Sequence, residues 1–223
     1  MSTIFKDTID FLEDIRENNN RAWFATQKER YQVAQQNVKN FLSDLVTEMN
    51  KIDSIEKSKL FRIYRDVRFS KDKTPYSAHW SMSMGRTKPN LRGGYYLKLA
   101  PEGGLIACGF WNPSPSDMAL IRANIDRDDA SMRQVIGNSK LQSVFGPVEG
   151  ETVKTAPKGY SKDHVAIDLI RHKQFIFTKE FSRKEVHAKN FQSNVVSAYE
   201  AVRPFFNYMS DILGHNLNGE PLY

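Results

Sequence analysis

Between residues 62 and 79 the chain sets Arg62, Arg65 and Arg68 at three-residue spacing, then Lys71 and Lys73, then Tyr76 and His79. Planar guanidinium forks suit a bidentate grip on phosphate or carboxylate, and lysine adds a point charge. The hydroxyls of Ser70 and Thr74 can complete an oxyanion shell. Cations this dense repel one another unless counter-charges or a ligand balance them. Asp66 and Asp72 are the local acids. A second basic turn, Lys158-Gly159-Tyr160, leads into Asp163-His164. Glycine there lets backbone approach a ligand. Arg62, Arg65, Arg68, Lys73, Tyr76 and His79 are therefore expected to bind an anion, with Lys158, Tyr160 and His164 closing over them. A structural reading stands beside this one: Asp66 pairs with Arg62 to tie a loop to a strand, the lysines are simply solvated, and Asp163 caps a helix beside a surface histidine.

The charge distribution points to the same segment. The 223 residues carry a formal net charge of +6. Residues 1–60 are net −1, residues 101–223 are neutral, and residues 61–100 hold nine Lys and Arg against two acids, net +7. A smaller excess lies at 154–189, with nine cations against four acids. The basic block also motivates an alternative, nucleic-acid binding through phosphate contacts, with Arg86, Lys88 and Arg92 on a loop and Tyr95 and Tyr96 as stacking faces. No helix-turn-helix, RRM or KH signature accompanies it. A non-enzymatic interaction module, using residues 20–50 as a helical seam, is a further alternative.

Other chemistries lack their signatures. His79, His164, His172, His187 and His215 form no H-x-x-x-H or H-E-x-x-H pair, so no metal site is expected. No phosphate-binding glycine loop, dinucleotide fingerprint or nucleophile elbow occurs, and no cofactor is expected. Enzyme status and oligomeric state stay open. Cys108, the single cysteine, reads as core. Trp111 beside Asn112-Pro113 reads as core or as the wall of a cleft. No run of about 18 apolar residues is present, so no membrane partner is expected. The charged first ten residues do not resemble a signal peptide, so a cytoplasmic location is expected.

The elements that must hold these groups follow from periodicity. Phe5, Ile9, Leu12 and Ile15 predict a helix over 2–17, broken by Asn18-Asn19-Asn20. Asn20 caps a second helix to about Asn50, striped by Phe24, Tyr31, Ala34, Val38, Phe41, Leu45 and Met49. Alternation predicts strands at 61–69, with Phe61, Ile63, Val67 and Phe69 on one face, and at 78–84, with Trp80, Met82 and Met84 opposite His79, Ser81 and Ser83. Residues 85–94 read as a basic loop. Residues 95–100 and 105–111 predict a hairpin. Ser114 with Pro115 opens a helix, and a short one ends at Gly137. Residues 138–162 read as loop, Asp163 as the cap of a helix to His172, 175–177 as a strand, and Asn190 onward as a final helix that Pro204 kinks or restarts. The expected fold is a single α+β domain: an antiparallel meander flanked by N- and C-terminal helices, helical over 2–50, mainly β over 60–111 and mixed over 114–214.

The segment Arg65-Asp66-Val67-Arg68-Phe69-Ser70-Lys71-Asp72-Lys73-Thr74-Pro75-Tyr76 resembles the signature of the domain-of-unknown-function 2461 family of bacterial proteins. Trp23-Phe24 with Arg30-Tyr31, Gly109-Phe110-Trp111-Asn112-Pro113 with Arg122 and Ile125, and Ala156-Pro157-Lys158-Gly159-Tyr160 with Asp163-His164 are similar to its other motifs. The resemblance covers about residues 4 to 210. Val165 departs from it, standing where proline is expected. The resemblance implies no particular activity, ligand or catalytic residue.

Overall fold

A computed structural model describes residues 2–223. Among them are ten helices and a five-stranded antiparallel sheet of order β1-β2-β3-β4-β5, an α+β fold. The strands are β1 (Ile55–Leu60), β2 (Trp80–Arg86), β3 (Gly94–Ala100), β4 (Gly103–Phe110) and β5 (Phe175–Ser182). Sheet order equals chain order, as expected when short links join the central strands. The chain divides into two compact units: residues 1–84, 96–106 and 180–197, and residues 85–95, 107–179 and 198–223.

The first unit begins with α1 (Lys6–Glu17), α2 (Arg21–Thr26) and α3 (Lys28–Met49). Asn20 caps α2, its Oδ1 accepting from the Trp23 N–H at 2.9 Å. The helix expected to run on to Asn50 is interrupted at Gln27 and restarts. Its stripe from Tyr31 to Met49 is buried and α3 packs on α1, so this face is core and not an open seam. Phe5 sits before α1 and is 56% exposed, while Phe11 takes its place in the core. Buried Asn37 on α3 fastens the N-terminus. Its Oδ1 accepts from Phe5 N–H (3.0 Å) and Thr8 Oγ1 (2.8 Å), and its Nδ2 donates to Thr3 O (2.9 Å). The unit closes with α8 (Arg183–Val186) and most of α9 (Phe191–Ala201), where Phe191 stacks on Phe41 at 5.7 Å.

One expected strand is misplaced. Strand β1 is Ile55–Leu60, and residues 61–69 are irregular apart from a single bridge, Tyr64 to Tyr76. Alternation over 61–69 misled because the burial it implied does not occur: Ile63 is 1% exposed but Phe69 is 97% exposed. In β1 only the end residues are partly covered, so nothing imposes a period of two. Expected β2 and the β3–β4 hairpin are present, with Trp80, Met82 and Met84 buried as the alternation requires.

The second unit holds α4 (Pro115–Arg127), α5 (Asp129–Ile136), α6 (Ser139–Phe145), α7 (Ile167–Ile170) and α10 (Arg203–Gly214). Ser114 caps α4 as expected. Helix α6, capped by Asn138, lies where only loop was expected. Asp163 does not cap α7, whose first flanking residue is Ala166 without a side-chain cap. Pro204 stands in the first turn of α10 and restarts the helix. Tyr95, Tyr199, Phe205 and Phe206 fill this core around Cys108, whose thiol is pushed well up by complete burial. Among the described residues no helix is long and apolar enough to cross a membrane.

Asn37 offers a direct check on the packing of α1 against α3. Asn37→Ala leaves a buried hydroxyl and two backbone groups unpaired and is expected to cost about 2 kcal/mol. Thermal unfolding should fall by about 5 °C, and a change below about 1 °C would show that those groups find other partners.

Candidate functional site

In the first unit the basic segment is a hairpin-like loop. Backbone bonds run from Phe61 N–H to Ser81 O (2.8 Å), Ser77 N–H to Ile63 O (2.7 Å) and Arg65 N–H to Pro75 O (2.9 Å). Asn19 clamps the far side, accepting from Tyr76 N–H at 3.0 Å and donating to Tyr76 O at 2.8 Å. The buried Tyr76 ring stacks on Phe24 at 4.0 Å. Its role is to anchor the loop to α2, and burial raises its phenol.

The loop cations have protein partners. Arg65 donates from Nη1 to Asp72 Oδ2 (2.5 Å), to Thr74 O (3.0 Å) and to the Thr74 hydroxyl. Its Nη2 reaches Ser70 Oγ at 3.5 Å. Its guanidinium therefore crosslinks the turn from inside. Asp66 pairs not with Arg62 but with Arg68, accepting from its Nε (2.9 Å) and Nη2 (2.6 Å). Lys73 Nζ donates to Val67 O (3.0 Å) and Arg68 O (3.5 Å). Arg62 and Lys71 are exposed and make no hydrogen bond.

Next to this loop lies a group that periodicity alone did not single out. Along β3, Leu97 and Leu99 enter the core while Tyr96, Lys98 and Ala100 take the opposite face. Ser81 of β2 bonds Tyr96 of β3, oxygen to oxygen, at 2.8 Å. Lys98 is two residues from Tyr96 and shares its face, and its charge acts on His79, the residue just before β2. Neither has a hydrogen bond among the described residues. His79 is half-buried, and burial lowers its pKa first, with the positive charges of Lys98 and Arg65 adding to that and Glu102 opposing it. Its imidazole is therefore neutral at pH 7. Lys98, Ala100, Glu102, Leu105, Glu180 and Ser182 border a cavity of about 500 Å3. Glu102 accepts from Arg16 Nη2 at 2.5 Å and is held below the usual carboxylate range by its own backbone N–H and by Arg16. The alternation of 78–84 and of 95–100 carried this signal. It becomes legible once the two strands are known to be neighbours.

In the second unit, Lys158 is exposed on its turn, and no Cβ-sized obstacle faces Gly159 at φ +94°. His164 is oriented by Asp126 and not by Asp163. Its Nδ1 accepts from Ala166 N–H at 3.0 Å, which places the proton on Nε2, 2.8 Å from Asp126 Oδ1. Both ring nitrogens are committed, so His164 is a structural link. Tyr160 stands edge-on to it at 6.3 Å, its phenol raised by burial and by Asp126. Of the residues that motivated nucleic-acid binding, Arg86 and Tyr95 are buried, Arg92 and Tyr96 are partly covered and Lys88 is exposed. Arg86 is 1% exposed and donates to Arg92 O (2.8 Å) and Ser210 Oγ (3.1 Å). Tyr95 is buried, and Arg92 is paired with Asp117 at 2.5 Å. Trp111 lines a smaller cleft of about 280 Å3 with Lys88, Arg92 and Asp117. Among the described residues no group of three His, Cys, Asp or Glu side chains is placed to hold a metal ion.

Thr74 and then Arg65 give Asp72 a low titration midpoint. The Thr74 N–H and hydroxyl, then Arg65, hold Asp72 down at about 2. A carboxyl depressed on folding stabilises above its unfolded pKa of about 3.9 and loses that contribution as pH falls through the folded value. The Thr74 amide resonance should therefore shift with a midpoint near pH 2. A midpoint near pH 4 would show that the crosslink is absent in solution.

Neither the curated proteins nor the solved structures include a match to this chain. Residues 7–208 match the family described as conserved hypothetical protein (DUF2461). That span contains the basic loop, the β2–β3 face and the Lys158 turn, and over nearly its whole length the chain belongs to this family.

Proposed function

We propose that the first unit binds a small anionic ligand, bearing phosphate or carboxylate, on the sheet face between His79, Lys98 and the Arg65 loop. The observation that carries this is a half-buried, neutral imidazole under the charge of Lys98, neither group having a hydrogen bond among the described residues, with Lys98 at the border of a cavity of about 500 Å3. Two positive charges act on His79. An anion placed there would be attracted by both, and would accept a hydrogen bond from Lys98 and from the imidazole N–H.

Within the basic motif, Arg65 and His79 keep a place in this reading, and Arg65 contributes as a fixed charge held by Asp72 and Thr74. Tyr76 serves as an anchor, and Lys73 and Arg68 as braces of the loop. Arg65→Ala is accordingly a test of folding and not of ligand contact, because it removes the guanidinium from Asp72 and leaves the Thr74 carbonyl without its side-chain donor.

Linkage provides the experiment. Anion binding favours the charged imidazole, so the ligand must raise the His79 pKa. In a proton NMR titration His79 should protonate below pH 6.5 in the protein alone and move upward when inorganic phosphate is added. Lys98→Ala should raise the midpoint of the ligand-free protein and weaken the phosphate response about tenfold, the loss of one charge-assisted bond. Phosphate binding that leaves the His79 midpoint unmoved, or no response at saturating phosphate, would refute the proposal.

A further inference from the structure

Phe69 is 97% exposed, the most exposed of the large apolar side chains. Such a ring on a flexible tip would be unremarkable, but its flanks are fixed. Lys73 ties back the carbonyls of Val67 and Arg68. Asp66 accepts from the Arg68 N–H at 3.2 Å and from its guanidinium, and the Ser70 N–H reaches Val67 O at 3.3 Å. The loop is closed around its own polar groups, and the ring is held outside them. The Arg68 guanidinium carbon lies 6.0 Å from the ring centroid, with its side chain 77% exposed.

Around this ring the charge is one-sided. Asp66 is taken up by Arg68, and Asp72 by Arg65 and Thr74. Arg62, whose charge also acts on Asp66, and Lys71 have no hydrogen bond or ion pair among the described residues, and Lys73 is bonded only to carbonyls, so five cations against two acids leave the exposed loop net positive. An exposed π-face among unneutralised cations matches a polymer that presents planar rings and negative charge in alternation. A bilayer fits less well, because insertion requires several apolar groups at one depth. Phe69 stands alone between Arg68 and Ser70.

We propose that the loop 62–73 binds single-stranded nucleic acid, one base stacking on Phe69 while the flanking phosphates meet Arg62, Lys71 and Lys73. Its side chains, Arg62, Phe69, Lys71 and Lys73, are not those assigned to the His79–Lys98 face, and the proposal does not depend on the reading given for that face. Its side chains also differ from Arg86, Arg92 and Tyr95 of the other unit, which the fold buries or pairs.

The test uses fluorescence anisotropy of the full chain at low salt with three probes: a labelled oligothymidylate of about ten residues, an abasic deoxyribose-phosphate oligomer of the same length, and vesicles of phosphatidylserine and phosphatidylcholine. Phe69 is almost fully exposed, so Phe69→Ala leaves the fold intact. It should weaken oligothymidylate binding about tenfold, as expected for one lost stack, and leave abasic binding unchanged. The double variant Arg62→Ala/Lys71→Ala should weaken both oligomers and reduce the slope of log K against log salt by about 1.4. Three results would each overturn the proposal: no oligothymidylate binding by the parent protein, equal affinity in the Phe69→Ala protein, or vesicle binding that requires Phe69 while the oligomers do not bind.

Discussion

The Arg65 guanidinium is the interaction on which the accessible chemistry of the first unit depends. By drawing Asp72, both oxygens of Thr74 and the Ser70 hydroxyl onto one planar group, it turns fifteen residues of irregular chain into a closed loop. A fork with several fixed donors can do this and an ammonium cannot, because the geometry must satisfy several acceptors at different angles. The consequences spread outward from there. Asn19 and Phe24 seize the Tyr76 end of the loop, and Phe61 bonds across to Ser81. The loop thereby delivers the chain to β2 with His79 within reach of the Lys98 charge.

A cluster of like charges must be neutralised or must neutralise something else. Here the acids are divided unequally. Arg65 and Arg68 take Asp72 and Asp66, Lys73 reaches only carbonyls, and Lys98 and Arg62 have no ion pair among the described residues. Composition identifies the cluster but does not divide it. The division depends on which acceptors the folded turn brings within reach, and Asp72 and Thr74 become partners of Arg65 only because the chain reverses between them.

The same physics explains what could be read from the sequence. Asn20, Ser114 and the alternation of Trp80, Met82 and Met84 were legible, because caps and half-buried strands depend on neighbours a few residues away. Strand β1 was not, since Ile55–Leu60 lies at the edge of the sheet with its central side chains in water and carries no period. The run from Phe61 to Phe69 had the period without the strand. The arginines were legible as residues that seek oxyanions, but the oxyanions they find are mostly Asp66, Asp72 and backbone carbonyls. His79 was singled out together with the loop cations. Lys98 was not, because only the pairing of β2 with β3 brings it near.

The central claim is that the anion-binding position lies against His79 and Lys98, with Arg65 acting behind it as a structural charge. A crystal of the full chain soaked in tungstate tests this most directly, because the heavy oxyanion reports its own position. The account predicts tungsten density within hydrogen-bonding distance of Lys98 Nζ and the His79 ring, with the Arg65–Asp72 contact intact. Density against Arg65 with Asp72 displaced, or an empty His79–Lys98 face in tungstate-saturated crystals, would contradict it.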